Sequence, residues 1–187
     1  MTVAVARRPF TVEEYQRMRT AGILKEDDRV ELIDGEVREM SPVGPLHAAI
    51  VRRLNLLLHR SLAGACVVSV QDPMRLSDRS EPQPDLAVLR PRPDFYAGAH
   101  PAPDDVLVLI EVADTSLVYD REEKLPRYAQ SGIAEVWLVA VDRQQVEQYA
   151  NPANGQYRTA RTCGRGENIT SLSIPSLTLA VNDVLGC

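Results

Sequence analysis

The hydrophobic pattern is strongest in two short runs, Gln83-Pro84-Asp85-Leu86-Ala87-Val88-Leu89 and Val106-Leu107-Val108-Leu109-Ile110-Glu111-Val112-Ala113. Unbroken Val, Leu and Ile over this length predict strands buried on both faces. Each run carries one carboxylate, Asp85 or Glu111. A third run, Glu135 to Val141, predicts another core strand.

Around these runs the polar positions mark helices and turns. Thr11 and Glu14 form the N-cap and third position of a capping box, predicting a helix that ends near Gly22. Arg29 to Ile33 and Glu36 to Met40 read as a hairpin across the tight-turn pair Asp34-Gly35. Pro45 suits a first helical position, and His47 to Ala63 places Ile50, Leu54, Leu57 and Leu58 on one apolar face, with Gly64 as the stop. Cys66 to Val70 and Pro73 to Leu76 read as strands. The proline-rich stretch 90–105 reads as a long loop over a substrate groove. Asp120 to Ser131 predicts a helix closed by Gly132, either kinked at Pro126 or starting late enough to hold Pro126 in its first turn. Strands over 145–149 and 157–160, the run Ile174 to Leu179 that ends the fold and a short helix over 181–185 complete the chain.

Length changes the picture little: 187 residues fit one domain, 1–187, with residues 1–9 a loose arm. No apolar run approaches a membrane span, and Met1 to Arg8 lacks the order of a signal peptide. Cys66, Cys163 and Cys187 are odd in number and far apart, which points to a reducing cytoplasm rather than a disulfide or zinc framework. No glycine-rich phosphate loop and no Gly-x-Ser-x-Gly elbow occurs, which argues against nucleotide triphosphate and serine hydrolase chemistry.

Charge adds more. The net charge of −5 argues against a protein that coats nucleic acid non-specifically. It is uneven, however: residues 45–80 are locally basic and residues 100–124 locally acidic. Of 21 basic residues only Lys25 and Lys124 are lysines, and lysine differs from arginine as a compact point charge with an adjustable pKa.

A carboxylate inside a buried strand needs a basic partner or a metal ion. Asp85 and Glu111 on neighbouring strands form a two-point oxygen set of the kind Mg²⁺ uses together with water and substrate phosphate. The alternative is that both pair with arginines at strand ends. Glu31 likewise reads as a strand residue paired with an arginine. Gln83 shares a strand face with Asp85 and suits a water or phosphate contact. His47 falls in a first helical turn, as a capping group or close to substrate. Asp120, Lys124 and Tyr128 recur every four residues on one helix face, either as a surface ion pair or turned toward the carboxylates.

Pro84-Asp85 followed by Glu111-Val112-Ala113 resembles the PD-(D/E)xK nuclease signature, with Ala113 standing where that pattern has lysine. A longer series resembles the Uma-type putative endonuclease family: Val30 to Glu36, Gly44 to His47, Glu81 to Asp85, Ile110 to Ser116, Tyr119 to Arg121, Lys124 to Pro126, Tyr128-Ala129 and Gly132 to Trp137. The resemblance implies an α/β domain of restriction-endonuclease-like fold, a mixed central sheet flanked by helices. It implies a DNA endonuclease, RNA being a further possibility, that uses Mg²⁺ with Mn²⁺ as a substitute. Asp85 and Glu111 hold the metal, Glu31 assists, and Lys124 takes the place of the missing motif lysine. Gln83, His47 and Tyr128 are the expected substrate contacts. A homodimer is expected, since two-strand cleavage favours two sites. The rival readings are a nucleic-acid-binding scaffold that keeps the fold without catalysis, favoured by Ala113 and the acidic charge, and a metal-dependent hydrolase of another phosphoester.

Overall fold

The computed structural model describes residues 7–186. The loose arm expected over residues 1–9 lies outside these up to residue 6, as does Cys187. Residues 7–10 are tied down: Arg7 pairs with Glu36 at 2.7 Å, and Phe10 N–H donates to the Gly35 carbonyl at 2.9 Å.

Helix α1 (Val12–Thr20) starts on the Thr11–Glu14 capping box, with both reciprocal hydrogen bonds present. It packs Val12 and Tyr15 on a hairpin of β1 (Val30–Ile33) and β2 (Glu36–Glu39), and Tyr15 Oη donates to the Val30 carbonyl at 2.9 Å. The hairpin turn has positive φ at Asp34 and Gly35, as two-residue hairpin turns require. Gly35 is also a close approach: a Cβ there would lie 2.4 Å from Pro9 Cβ. Leu32 and Glu81 exchange backbone hydrogen bonds, which docks the hairpin on the segment entering the central sheet.

That sheet contains β3 (Val67–Val70), β4 (Leu86–Leu89), β5 (Val106–Ala113), β6 (Glu135–Ala140), β7 (Gln145–Ala153) and β8 (Gln156–Gly164), in that spatial order. Only the β5–β6 pair is parallel. Helix α2 (Pro45–Leu62) covers one face with Ile50, Val51, Leu54, Leu58 and Leu62, against Val88, Ile110 and Trp137. The pair β9 (Asn168–Thr170) and β10 (Thr178–Ala180) and the final helix α5 (Val181–Leu185) extend this layer. The other face, with Ala87, Leu109 and Val136, is covered by a helical segment over residues 117–130. Strand alternation sends neighbouring apolar residues into opposite layers, which is why the two runs read as continuously apolar.

The segment 117–130 departs from the expected helix. It begins earlier, at α3 (Leu117–Tyr119), widens into a π-helical turn (Asp120–Lys124) and continues as α4 (Leu125–Gln130), ending at Gly132 with φ +83°. Leu125 N–H reaches the Asp120 carbonyl five residues back. Pro126 explains the wide turn, because its ring would crowd the Glu122 carbonyl in a regular helix. Pro126 thus lies in the first turn of α4, one of the two arrangements expected for it, with the π turn ahead of it. Such π turns are frequent at functional sites.

Three smaller expectations change. Residues 73–76 are extended but not a strand, because Met74 and Leu76 bond to Pro82 and Ser80 outside the sheet. The strand expected over 83–89 begins only at Leu86, with Gln83 and Asp85 just ahead of it, and β9 is an element the pattern did not announce. The loop 90–105 leaves the end of β4 remote from Asp85. Of its residues only His100 returns to line a cavity near the carboxylates, so the loop tip does not cover the groove.

Candidate active site

The register of the sheet brings the two strand carboxylates together. Leu86 pairs with Ile110 across antiparallel β4 and β5, and one step further Asp85 meets Glu111. Asp85 N–H donates to Glu111 Oε2 at 3.3 Å, and Val112 N–H donates to Asp85 Oδ2 at 2.9 Å. Glu111 sits between Leu109 and Ala113 on the sheet face that the π-turn segment covers.

That segment supplies the cation. Lys124 is 5% exposed, and its Nζ stands 3.2 Å from both Glu111 Oε1 and Glu31 Oε2. Burial opposes the ammonium charge, but Glu111, Glu31 and Asp120 outweigh it and hold Lys124 protonated. Asp120 is buried one turn away, its carboxylate taking the Ser116 hydroxyl at 2.5 Å. The surface ion-pair reading of Asp120 and Lys124 is thus replaced by burial of both.

Glu31 arrives from the hairpin, 2% exposed, accepting from Gln83 N–H at 3.2 Å and from Tyr119 Oη at 3.3 Å. His47, from the first turn of α2, donates through Nε2 to Asp85 Oδ2 at 3.0 Å, and Gln71 donates to Asp85 Oδ1 at 3.2 Å. The Asp85 contact raises the His47 pKa. Asp85 is itself lowered: burial is the largest single effect and raises it, but the His47 contact and charge, the Val112 N–H and Gln71 together outweigh burial. None of Asp85, Glu111 and Glu31 pairs with an arginine among the described residues. The arginine alternatives therefore fall away.

Asp85, Glu111, Glu31, Lys124, His47 and Gln83 all line one cavity of about 420 Å³. Tyr128 does not. It is buried behind Glu111, and its hydroxyl donates to Glu111 Oε1 at 2.5 Å, so it orients the carboxylate rather than touching a substrate. The walls add Arg38 and Tyr119, which sequence reasoning passed over. Arg38 lies opposite Glu31 in the backbone register of the hairpin, a signal present once the hairpin is recognised, while its guanidinium pairs with Glu36 and Glu123.

The cavity is overloaded with acid. Asp85, Glu111, Glu31 and Asp120 face Lys124 and His47, and burial with this crowding pushes the Glu111 carboxyl up to about 8. Oxygen donors with excess negative charge suit a hard divalent cation. Among the described residues no group of three or more His, Cys, Asp and Glu is arranged to hold a metal ion. Asp85 and Glu111 would thus give two protein ligands and leave the other positions to water and phosphate, the habit of Mg²⁺.

A mixed α/β sheet with helices on both faces and a carboxylate-lined cavity at adjoining strand positions defines the restriction-endonuclease-like fold class. The Uma2 family, described as "Putative restriction endonuclease", matches residues 12–182, and the chain belongs to that family. Among solved structures, the chain is similar to a putative nuclease belonging to DUF820 from Anabaena variabilis. The TM-score is 0.73 at 17% identity, covering 95% of this chain and 98% of the other. No curated protein matches. No helix among the described residues is long and apolar enough to cross a membrane.

Proposed function

We propose that this chain is a metal-dependent endonuclease that hydrolyses phosphodiester bonds in DNA. The observation that carries the reading is the meeting of Asp85, Glu111 and Lys124 in one cavity, with the lysine arriving from the π turn instead of from position 113. Asp85 and Glu111 would hold Mg²⁺, or Mn²⁺ in its place. A bound divalent ion lowers the pKa of water and neutralises phosphate charge. The other groups are the protein's own contribution. Lys124 orients a water or meets charge developing on the phosphate, as a fixed cation in a dry site does. Tyr128 and Glu31 hold Glu111 and Lys124 in place, and His47 fixes Asp85 from the opposite side. A homodimer would place two such sites on a duplex.

The test is titration of the protein with Mg²⁺ and Mn²⁺ by calorimetry, repeated with Asp85→Ala and Glu111→Ala. Binding to the wild type that both substitutions remove is the expected result. The titration also carries a pH signature. Because the metal must displace the proton from a carboxyl held near 8, apparent affinity should rise by about tenfold per pH unit from pH 6 toward 8. Binding should release about one proton, read from buffers of different ionisation enthalpy. Affinity independent of pH, or binding that survives both substitutions, would place the metal elsewhere.

A further inference from the structure

A second cavity, of about 430 Å³, adjoins the first and shares Arg29, Met40 and Gln83 with it. The hairpin makes the junction. Arg29 lies two residues before Glu31, so the two project to one side, and Met40 N–H bonds the Arg29 carbonyl at 2.8 Å. Beyond the junction the wall continues through Gln71 to Arg19 and His100.

Two guanidinium groups on this wall have no ion-pair partner among the described residues. Arg19 is held in place: its Nη2 donates to Tyr15 Oη at 2.8 Å and to the Val30 carbonyl at 3.1 Å, and it lies 5.1 Å from the Tyr15 ring centroid. These contacts order the group without neutralising it, and its Nε and Nη1 donors remain without a partner among the described residues. Arg29 is exposed and makes no side-chain hydrogen bond among them. Acids are present too, Glu26 and Asp28 in the turn before β1, with Asp28 accepting from Lys25 N–H at 2.8 Å.

We infer that this second cavity binds a phosphodiester neighbouring the scissile one, with Arg19 and Arg29 as its cationic clamp. The inference rests on the nuclease reading above. A strand seated at the acid-rich first cavity must leave it, and the shared wall at Gln83 leads to two guanidinium groups. Arg19 is held by Tyr15 and Val30 and Arg29 is exposed, neither of them in an ion pair among the described residues. Their planar donors suit phosphate oxygens. Met40 and Arg29 line both cavities at the junction between the two positions.

The test is fluorescence anisotropy of a labelled DNA duplex with the full chain, using Ca²⁺ in place of Mg²⁺ to suppress cleavage. Arg29→Gln and Arg19→Gln should each weaken binding by about tenfold. Each should also reduce the slope of log Kd against log salt by about 1. Arg158→Gln, on edge strand β8 across the sheet, should change neither. Arg19→Gln also removes contacts to Tyr15 and Val30, so the exposed Arg29→Gln decides the matter if Arg19→Gln unfolds. Wild-type binding that Arg29→Gln leaves unchanged overturns the clamp and leaves the nuclease reading standing. An equal loss in Arg158→Gln overturns it as well, since net charge alone would then account for the effect. No binding by the wild type overturns both.

Discussion

Glu111→Gln is expected to lose metal-dependent cleavage by about 10²–10³-fold or more while the protein keeps or gains stability. The two halves of that expectation have one cause. Glu111 is a buried carboxylate in a cavity where acids outnumber bases, and its charge opposes folding. Glutamine keeps an oxygen that can accept from Tyr128 and Lys124, and Lys124 retains Glu31 at 3.2 Å. The pH dependence fixes the sign. A carboxyl whose folded pKa is raised from the usual range to about 8 binds a proton more readily in the folded state. Its stabilising effect is full at low pH and disappears as pH rises toward 8. The variant's advantage in thermal unfolding under chelator should therefore grow between pH 5 and pH 8. Full cleavage by Glu111→Gln, or a melting temperature that drops sharply with it, would make Glu111 a structural strut instead.

Glu135→Gln should have the opposite profile, costing about 3–5 kcal/mol of stability, and Glu135→Ala at least as much. Glu135 is fully buried in β6 and collects five hydrogen bonds. Oε1 accepts from Trp137 Nε1 at 2.6 Å and Gln148 Nε2 at 2.7 Å, while Oε2 accepts from Ser171 Oγ at 2.9 Å, Leu172 N–H at 3.0 Å and Ser173 N–H at 2.8 Å. No basic side chain pairs with it among the described residues, so donors alone compensate the charge. An amide nitrogen in place of either oxygen turns a donor toward donors. Urea unfolding should show a lower midpoint at unchanged slope. A shift worth under about 1 kcal/mol would mean that the 171–173 segment readily finds other acceptors. Metal binding by the folded variant should be retained, because Glu135 does not line the carboxylate cavity.

Glu111 and Glu135 illustrate what the sequence conveys. Both are glutamates in apolar strands, and no pattern of neighbours separates them. One faces a cavity and a lysine, while the other faces a polar turn some 36–38 residues ahead in the chain. Lys124 illustrates the converse. Its scarcity among arginines and its position after the Glu111 strand made it legible, although Pro126 obscured the helix that carries it. Tyr128 was legible as a neighbour of Lys124, but only packing showed that it stands behind Glu111.

The alternation of apolar positions, the capping box at Thr11, the Asp34-Gly35 turn and the Gly132 stop were determined locally, because each depends on residues within about one turn or one strand of its neighbours. Those signals sufficed for the order of most elements and for the identity of the strand carboxylates. The tertiary structure alone decided the β4–β5 register that sets Asp85 beside Glu111, the wide turn that swings Lys124 onto them, and the second cavity beyond Gln83. Each of these is a contact between segments distant in the chain. Its geometry depends on which faces pack together, a choice made by burial of the whole sheet and not by any stretch of sequence alone.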